Sequence, residues 1–393
     1  MSSGKNKIYE IADNEAEYKR YRRLLSSESF GVEDLNETLL EKGAKALSKE
    51  KEVYVIEDES EIRKESSQKM EGLMGVRDLK GRGIINGYRT ENTIAVKEKE
   101  IILLSTKVFS ANEKDFLSET QIRLESIKQV SKALKSKNNN LKIIQVKDRG
   151  YDDQKIFQAI IQEGDFFIIR ASHLKRIVEQ KGVQKKISEV TYEGNFCKKF
   201  EKLKIKNKIY QNVKTEVRYA EIILNGDVLH LVKIELKDRK NQSVFDSSMI
   251  LITNLSIATD EESFAVYRGY LKRWKIEGVF QFIKETLGWE KFQIRDLKGI
   301  KKIVALTYLV AAYFYELGEG LIKQEYIEFL SRIGKGKGKI TRKALIQGLQ
   351  SLINSIKILN LIKVNYSKKK ASELLKKFGF DKESEEILRC VQF

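Results

Sequence analysis

The sequence predicts an α/β protein: a core of mixed strand directions, interrupted by an antiparallel β-rich insertion and flanked by helical regions at both ends. Three observations carry the prediction. Between 53 and 171 the pattern runs strand, hairpin, helix, strand, helix, strand. Between 174 and 247 polar and apolar residues alternate and turn pairs such as Asn225-Gly226 appear, as in an antiparallel sheet. From 248 a buried-strand run, SMILITNL, returns, and a long amphipathic helix follows it.

Taken in order, residues 1–50 read as short helices: EAEYKRYRRLL is basic and amphipathic, and VEDLNETLLEKGAKAL follows Gly31. VYVIED, 53–58, is a short apolar run ending in acids, as a buried strand would. KMEGLMGVRDLKGRG reads as a loop, and NTIAVKEKEIILLSTKVFS as a hairpin turning at Lys97–Glu100. SETQIRLESIKQVSKALKSK, 118–137, has the helical period; a strand then ends at Asp148, DDQKIFQAIIQEG forms a helix, and FFIIRAS a strand. The core therefore divides into a first part, 51–173, and a second, 248–316, around the insertion at 174–247. The run IVALTYLVAAYFY, 303–315, is too short to span a bilayer and reads as a buried helix. Residues 317–393 are helical and basic, with RIGKGKGKITRK as a linker whose Lys335, Lys337, Lys339 and Arg342 either grip DNA or lie solvated.

Composition narrows the function. Lys plus Arg is 74 against 56 acids in 393 residues, a net charge of +18 that favours an anionic polymer as partner. Two cysteines, Cys197 and Cys390, without a CxxC, argue against a disulfide framework or a zinc site and suit a reducing compartment. His173 and His230 alone leave little material for histidine-based metal sites or a Ser-His-Asp triad. The polar start carries no signal peptide, so a cytoplasmic, nucleoid-associated protein without membrane contact is expected. The chain contains no proline.

The chemistry concentrates in YLKRWKIEGVFQFIK. On a helix Tyr270, Arg273, Glu277 and Lys284 point to about 0°, 300°, 340° and 320°, one narrow arc, while Leu271, Ile276, Val279, Phe282 and Ile283 take the opposite side. A carboxylate can bind a divalent metal, and an Arg and a Lys can bind phosphates. Over roughly 21 Å such a stripe can follow several nucleotides of a DNA strand. Two more carboxylates, Asp58 and Asp148, close strands. Facing Glu277, they could hold two Mg²⁺ ions, with Mn²⁺ as substitute, for attack on a phosphodiester by water or a 3′-hydroxyl. Blander readings stand beside these. Asp148 could only cap a turn, and the crowding of Asp58 by Glu57, Glu59 and Glu61 allows a one-residue shift. Arg273 and Lys284 could serve in ion pairs, Tyr270 could pack its ring, Trp274 could be a wedge, and Arg149 could brace Asp148 or touch DNA.

These blocks resemble a DDE transposase of the insertion-sequence-four family, the branch named for its YREK signature and including Tn-five-like enzymes. The spacing Tyr270-Arg273-Glu277-Lys284 matches the signature, and Arg273-Trp274-x-Ile276-Glu277 has its usual form. Asp148-Arg149-Gly150-Tyr151 followed by FFIIRAS resembles the second-Asp block, LITNL the run before the signature, and Asp58-Glu59-Ser60 the first-Asp block, with Ser where Thr is commoner. The likeness covers roughly 53–316. It implies an RNase H-like core with a β-rich insertion, the metal-binding catalytic set Asp58, Asp148 and Glu277, and DNA contacts by Tyr270, Arg273 and Lys284; Arg149 and Trp274 are placed beside them as further candidate DNA contacts. It also implies double-stranded DNA as partner, both terminal inverted repeats and target, end binding by residues 1–50, and a homodimer assembled through 317–393. Cut-and-paste transposition through a hairpin is the implied reaction. The family stacks a flipped base on an insertion Trp, whereas 174–247 has none, leaving Tyr192, Phe196, Tyr210 or Phe245 for that place. A non-catalytic DNA-binding descendant and a stand-alone RNase H-like nuclease are the rival readings.

Overall fold

In this computed structural model the described residues are 12 and 14–373, apart from 79, 80, 82, 206, 207, 239, 245, 246, 318–323, 337–339, 366, 368 and 371. Phe245, Lys337, Lys339 and Cys390 lie outside them. The chain divides into two compact units, with the boundary between Ala312 and Tyr313.

Two helices open the first unit, α1 (Glu15–Ser26) and α2 (Val32–Ala46). Asn14 caps α1, its side chain accepting from the Glu17 amide, and acids fill the first turn of each helix, where they complement the helix dipole. The core strands are β1 (Glu52–Arg63), β2 (Met74–Arg77), β3 (Ile84–Lys97), β4 (Glu100–Phe109), β5 (Lys142–Lys147) and β6 (Phe166–Arg170). Helix α3 (Glu119–Lys135) connects β4 to β5, and α4 (Gln154–Gln162) connects β5 to β6. The order β4-β3-β1-β5-β6 is antiparallel from β4 to β1 and parallel from β1 to β6. That is the mixed-direction sheet of an RNase H-like core. The hairpin turns where the sequence places it, with Lys97 paired to Glu100.

Two expectations change. The strand beginning at VYVIED does not stop at Asp58 but runs five residues further, to Arg63. Pairing with β3 sustains it, through Ser60 with Thr90 and Arg63 with Gly87. The loop KMEGLMGVRDLKGRG contains a short strand, β2, laid along the same β3.

Strands β7 (Ile177–Gln180), β8 (Val183–Lys186), β9 (Glu193–Ile205), β10 (Lys208–Leu224) and β11 (Asp227–Lys237) follow, and β12 (Met249–Thr253) returns to the core. β12 pairs with both β6 and β11, so core and insertion form one continuous twelve-stranded sheet. The β10–β11 turn is Asn225-Gly226, both at positive φ, as a tight hairpin requires. Ile156, Phe157 and Ile160 of α4 pack with Phe167, Ile222, Leu231 and Ile252 in one apolar cluster beneath the join.

Helices α5 (Asp260–Leu271) and α6 (Trp274–Gln281) come next, then a π-helical turn, Phe282–Thr286, and α7 (Leu297–Leu317). No helix among the described residues is long and apolar enough to cross a membrane. In the second unit, α8 (Gln324–Ile333) and α9 (Arg342–Asn365) flank the basic RIGKGKGKITRK segment, and Arg342 stacks 3.6 Å over the Tyr315 ring.

Candidate active site

The site starts from strand register. β1 and β5 run parallel, their paired register ending with Ile56 opposite Val146; Asp58 lies two residues further along β1 and Asp148 just past the end of β5. Glu57 points inward to a fully buried ion pair with Lys147, whereas Asp58 lines a cleft with Asp148. Glu59 and Glu61 line the same cleft, so of the acids at 57, 58, 59 and 61 only Glu57 turns away from it. Asp148 follows the last residue of β5 and caps the turn Arg149–Tyr151, its Oδ1 accepting from the Gly150 amide at 2.7 Å. Asp58 Oδ1 accepts from the Glu59 amide at 3.0 Å.

Glu277 comes from α6. The sequence draws one continuous helix through the signature, but the structure tightens it between α5 and α6. There the amides of Arg273, Lys275 and Ile276 reach back three residues, to Tyr270, Lys272 and Arg273, instead of four. At Phe282–Thr286 the helix loosens again, with the Leu287 amide reaching Phe282. The start of α5 is fixed by a capping box, in which Thr259 Oγ1 accepts from the Glu262 amide and Glu262 accepts from the Thr259 amide. Ile276, Val279 and Ile283 are fully buried, which anchors the apolar face.

Strand β1 and the helix meet at Arg273. Its Nη1 donates to Asp58 Oδ2 at 2.7 Å and its Nη2 to Glu277 Oε1 at 2.6 Å, and the residue is itself 9% exposed. Arg273 Nε is buried without a hydrogen-bond partner. Burial pushes the Asp58 carboxyl up to about 7, and the charges of Asp148 and Glu277 add to the rise, against the pull of Arg273. Asp58, Asp148 and Glu277 therefore share one electrostatic field.

Lys284 sits on the π-turn. Its Nζ donates to the Glu61 carbonyl at 2.8 Å and stands 3.6 Å from Glu290, and burial lowers its pKa. Tyr270 is 4% exposed, packed beneath the site rather than displayed on its surface, and burial raises its pKa. Trp274 is half-buried at the start of α6, and Arg149 is exposed beside Asp148. The cleft above Asp58 and Asp148, about 450 Å³, is also lined by Glu59 and Glu61 and by Arg63, Arg77, Arg89 and Lys284, while the Arg123 guanidinium at its edge is taken up by its ion pair with Glu59. A carboxylate floor under a cationic wall suits an anionic polymer whose phosphates enter from above.

The donors fit a hard divalent cation in kind: they are all carboxylate oxygens, and their mutual repulsion is a cost that bound positive charge removes. In the arrangement described, Arg273 supplies that charge. Among the described residues, no group of three or more His, Cys, Asp or Glu side chains is disposed to hold a metal ion.

Of the aromatic residues in the insertion, Phe196 stacks on Phe264 at 4.4 Å, and Tyr192 packs against the core cluster with its hydroxyl buried and unpartnered. Sequence reasoning missed a layer of side chains behind the carboxylates: Arg123, Tyr151, Glu91 and the Lys147–Glu57 pair. One signal for it is legible. Arg123 precedes Ile127, Val130 and Leu134 by four, seven and eleven residues, so it lies on the buried stripe of α3.

A family model described as a transposase DDE domain matches residues 93–314, more than half of the chain. The matched span includes Asp148 and Glu277 and begins after Asp58. No curated protein matches the chain.

Proposed function

The chain belongs to the transposase DDE domain family, and from that premise we propose that it cuts DNA at the ends of its own element and joins them to target DNA, with Asp58, Asp148 and Glu277 as the catalytic carboxylates. The observation that carries this reading is the convergence of Asp58, on β1, and Asp148, just past the end of the adjacent parallel β5, with Glu277, which is joined to Asp58 through Arg273. Two Mg²⁺ ions, or Mn²⁺ in their place, would be held by these three side chains and would activate the attacking water or 3′-hydroxyl and stabilise the leaving oxygen.

The remaining roles belong to the chain itself. Arg273 keeps Asp58 and Glu277 neutralised until phosphate charge arrives, and its planar fork suits a phosphate as well as a carboxylate. Lys284 and Arg149 contact backbone phosphates at the two sides of the carboxylates. Tyr270 supports the floor and Trp274 the wall of the DNA path. The helices of 1–50 bind the element end, and the region 317–393 serves homodimer assembly. The signature spacing supports a member of the YREK branch working by cut-and-paste through a hairpin. An insertion aromatic other than Trp would then receive the flipped base.

The test is a denaturing gel of purified protein, in Mg²⁺, with labelled duplex carrying the inverted repeat beside its own gene, and with unrelated duplex. A nick followed by a hairpin-length product on the repeat alone is expected. Equal cutting of unrelated duplexes would favour a stand-alone nuclease. Salt-sensitive binding without cleavage would favour a DNA-binding descendant.

A further inference from the structure

We infer that Arg123 is the positioning residue that fixes Asp58 and Asp148 relative to one another, and so sets the affinity of the site for its divalent cations. The inference rests on the proposed roles of those two carboxylates.

Each carboxylate accepts from one backbone amide, Asp58 from Arg273 as well. Asp58 Oδ1 accepts from Glu59 N at 3.0 Å, and Asp148 Oδ1 accepts from Gly150 N at 2.7 Å. Arg123, from α3, grips both residues that donate. Its Nε donates to Glu59 Oε1 at 3.2 Å, its Nη2 donates to the same oxygen, and its Nη1 donates to the Gly150 carbonyl at 2.9 Å. The path from one carboxylate to the other thus runs through a single guanidinium: Asp58, Glu59, Arg123, Gly150, Asp148.

The guanidinium is itself held. It lies 4.4 Å over the Tyr151 ring, the Tyr151 hydroxyl donates to Glu91 Oε1, and Glu119 Oε2 stands 3.8 Å from Nη2. The Arg123 side chain is 13% exposed, so it is not a free surface cation available to a phosphate. Its geometry needs a fork. One arm must reach a side chain on β1 while another reaches a carbonyl in the turn after β5, which a single ammonium cannot do. Residues behind metal ligands that orient them typically change metal affinity by about 10–100-fold when removed.

The test compares wild type with Arg123→Lys and Arg123→Gln, using Asp148→Asn as the reference for a lost ligand. Thermal unfolding first establishes that each variant is folded. Mn²⁺ binding is then measured by calorimetry without DNA, and amide exchange is followed in the metal-free protein. Both Arg123 variants should bind Mn²⁺ about 10–100-fold more weakly than wild type. The amides of Glu59 and Gly150 should exchange faster, and affinity for duplex DNA should stay within about twofold, because Arg123 is not a phosphate contact. Wild-type Mn²⁺ affinity in both folded variants, with Asp148→Asn showing the loss, would overturn the positioning role while leaving the carboxylate site standing. Unchanged Mn²⁺ affinity in Asp148→Asn as well would overturn the carboxylate reading, and this inference with it.

Discussion

At the residue scale the most telling group is Asp58. Its carboxyl is held near 7 against an ordinary value of 3.8, by burial and by two neighbouring carboxylates, even though Arg273 pairs with it. The fold therefore prefers Asp58 protonated. Its contribution to stability is intact below pH 4 and is lost as pH rises through the window from about 4 to 7. Asn carries no such charge. Metal-free Asp58→Asn should accordingly be more stable than wild type at pH 8, by about 1–3 kcal/mol after discounting the weakened Arg273 contact, and the gap should close towards pH 4. Mg²⁺ should raise the melting temperature of wild type only. Thermal melts across that range check both statements, and a variant less stable at pH 8 would refute the first. The sequence singles out Asp58 but closes its strand there, whereas β1 runs on to Arg63, and which acids of β1 face the cleft was not legible. Glu57 and Glu59 flank it, and only contacts with other elements show that Glu57 turns inward to Lys147 while Glu59 stays at the cleft and pairs with Arg123.

At the element scale the signature helix is legible in its buried face and misread in its continuity. The apolar positions Ile276, Val279 and Ile283 are buried as their spacing requires. Periodicity assumes a constant 100° per residue, however, and cannot see a turn tightened near Arg273 and loosened at Phe282. The same limit hid the second half of β1, whose polar sequence ESEIR becomes strand because β3 pairs with it. Packing of α5 gives a test. A Cβ built at Gly269 would come within 2.7 Å of Tyr54 Cε1 and 2.9 Å of Ile168 Cδ1, so the helix rests on β1 and β6 through that glycine. Gly269→Ala should gain about 1 kcal/mol of helix propensity yet lose about 1–3 kcal/mol to overpacking, for a net destabilisation. Because the site depends on how α5 leads into α6, DNA cleavage should fall with it. Chemical denaturation of the variant checks the sign, and a net gain in stability would show that the interface gives way.

For the whole molecule, charge and topology act together. The net charge of +18 predicts association driven largely by phosphate neutralisation. Duplex affinity should fall by about 10³-fold or more between 50 and 200 mM salt if six or more phosphates are contacted, and a filter-binding salt titration would read it. A nearly salt-independent affinity would point to a partner other than a nucleic-acid backbone. The order of core strands, hairpin, insertion sheet and returning strand was legible because each has a clear period and turn chemistry. The fusion of insertion and core into one sheet through β12 was not, since strand pairing between distant segments leaves no local pattern. Nor was the Arg123 network, apart from a charge on the buried stripe of α3.

The central claim is that Asp58, Asp148 and Glu277 act as one metal-dependent centre on DNA. It is tested most directly by single-turnover cleavage of a preformed complex with the element end, started by Mg²⁺, for wild type and Glu277→Gln at equal DNA occupancy. The account predicts bound DNA in both and a rate lower in the variant by on the order of a thousand-fold or more. Cleavage by Glu277→Gln within about twofold of wild type would contradict it, because a carboxylate on which the reaction depends cannot be replaced at so small a cost.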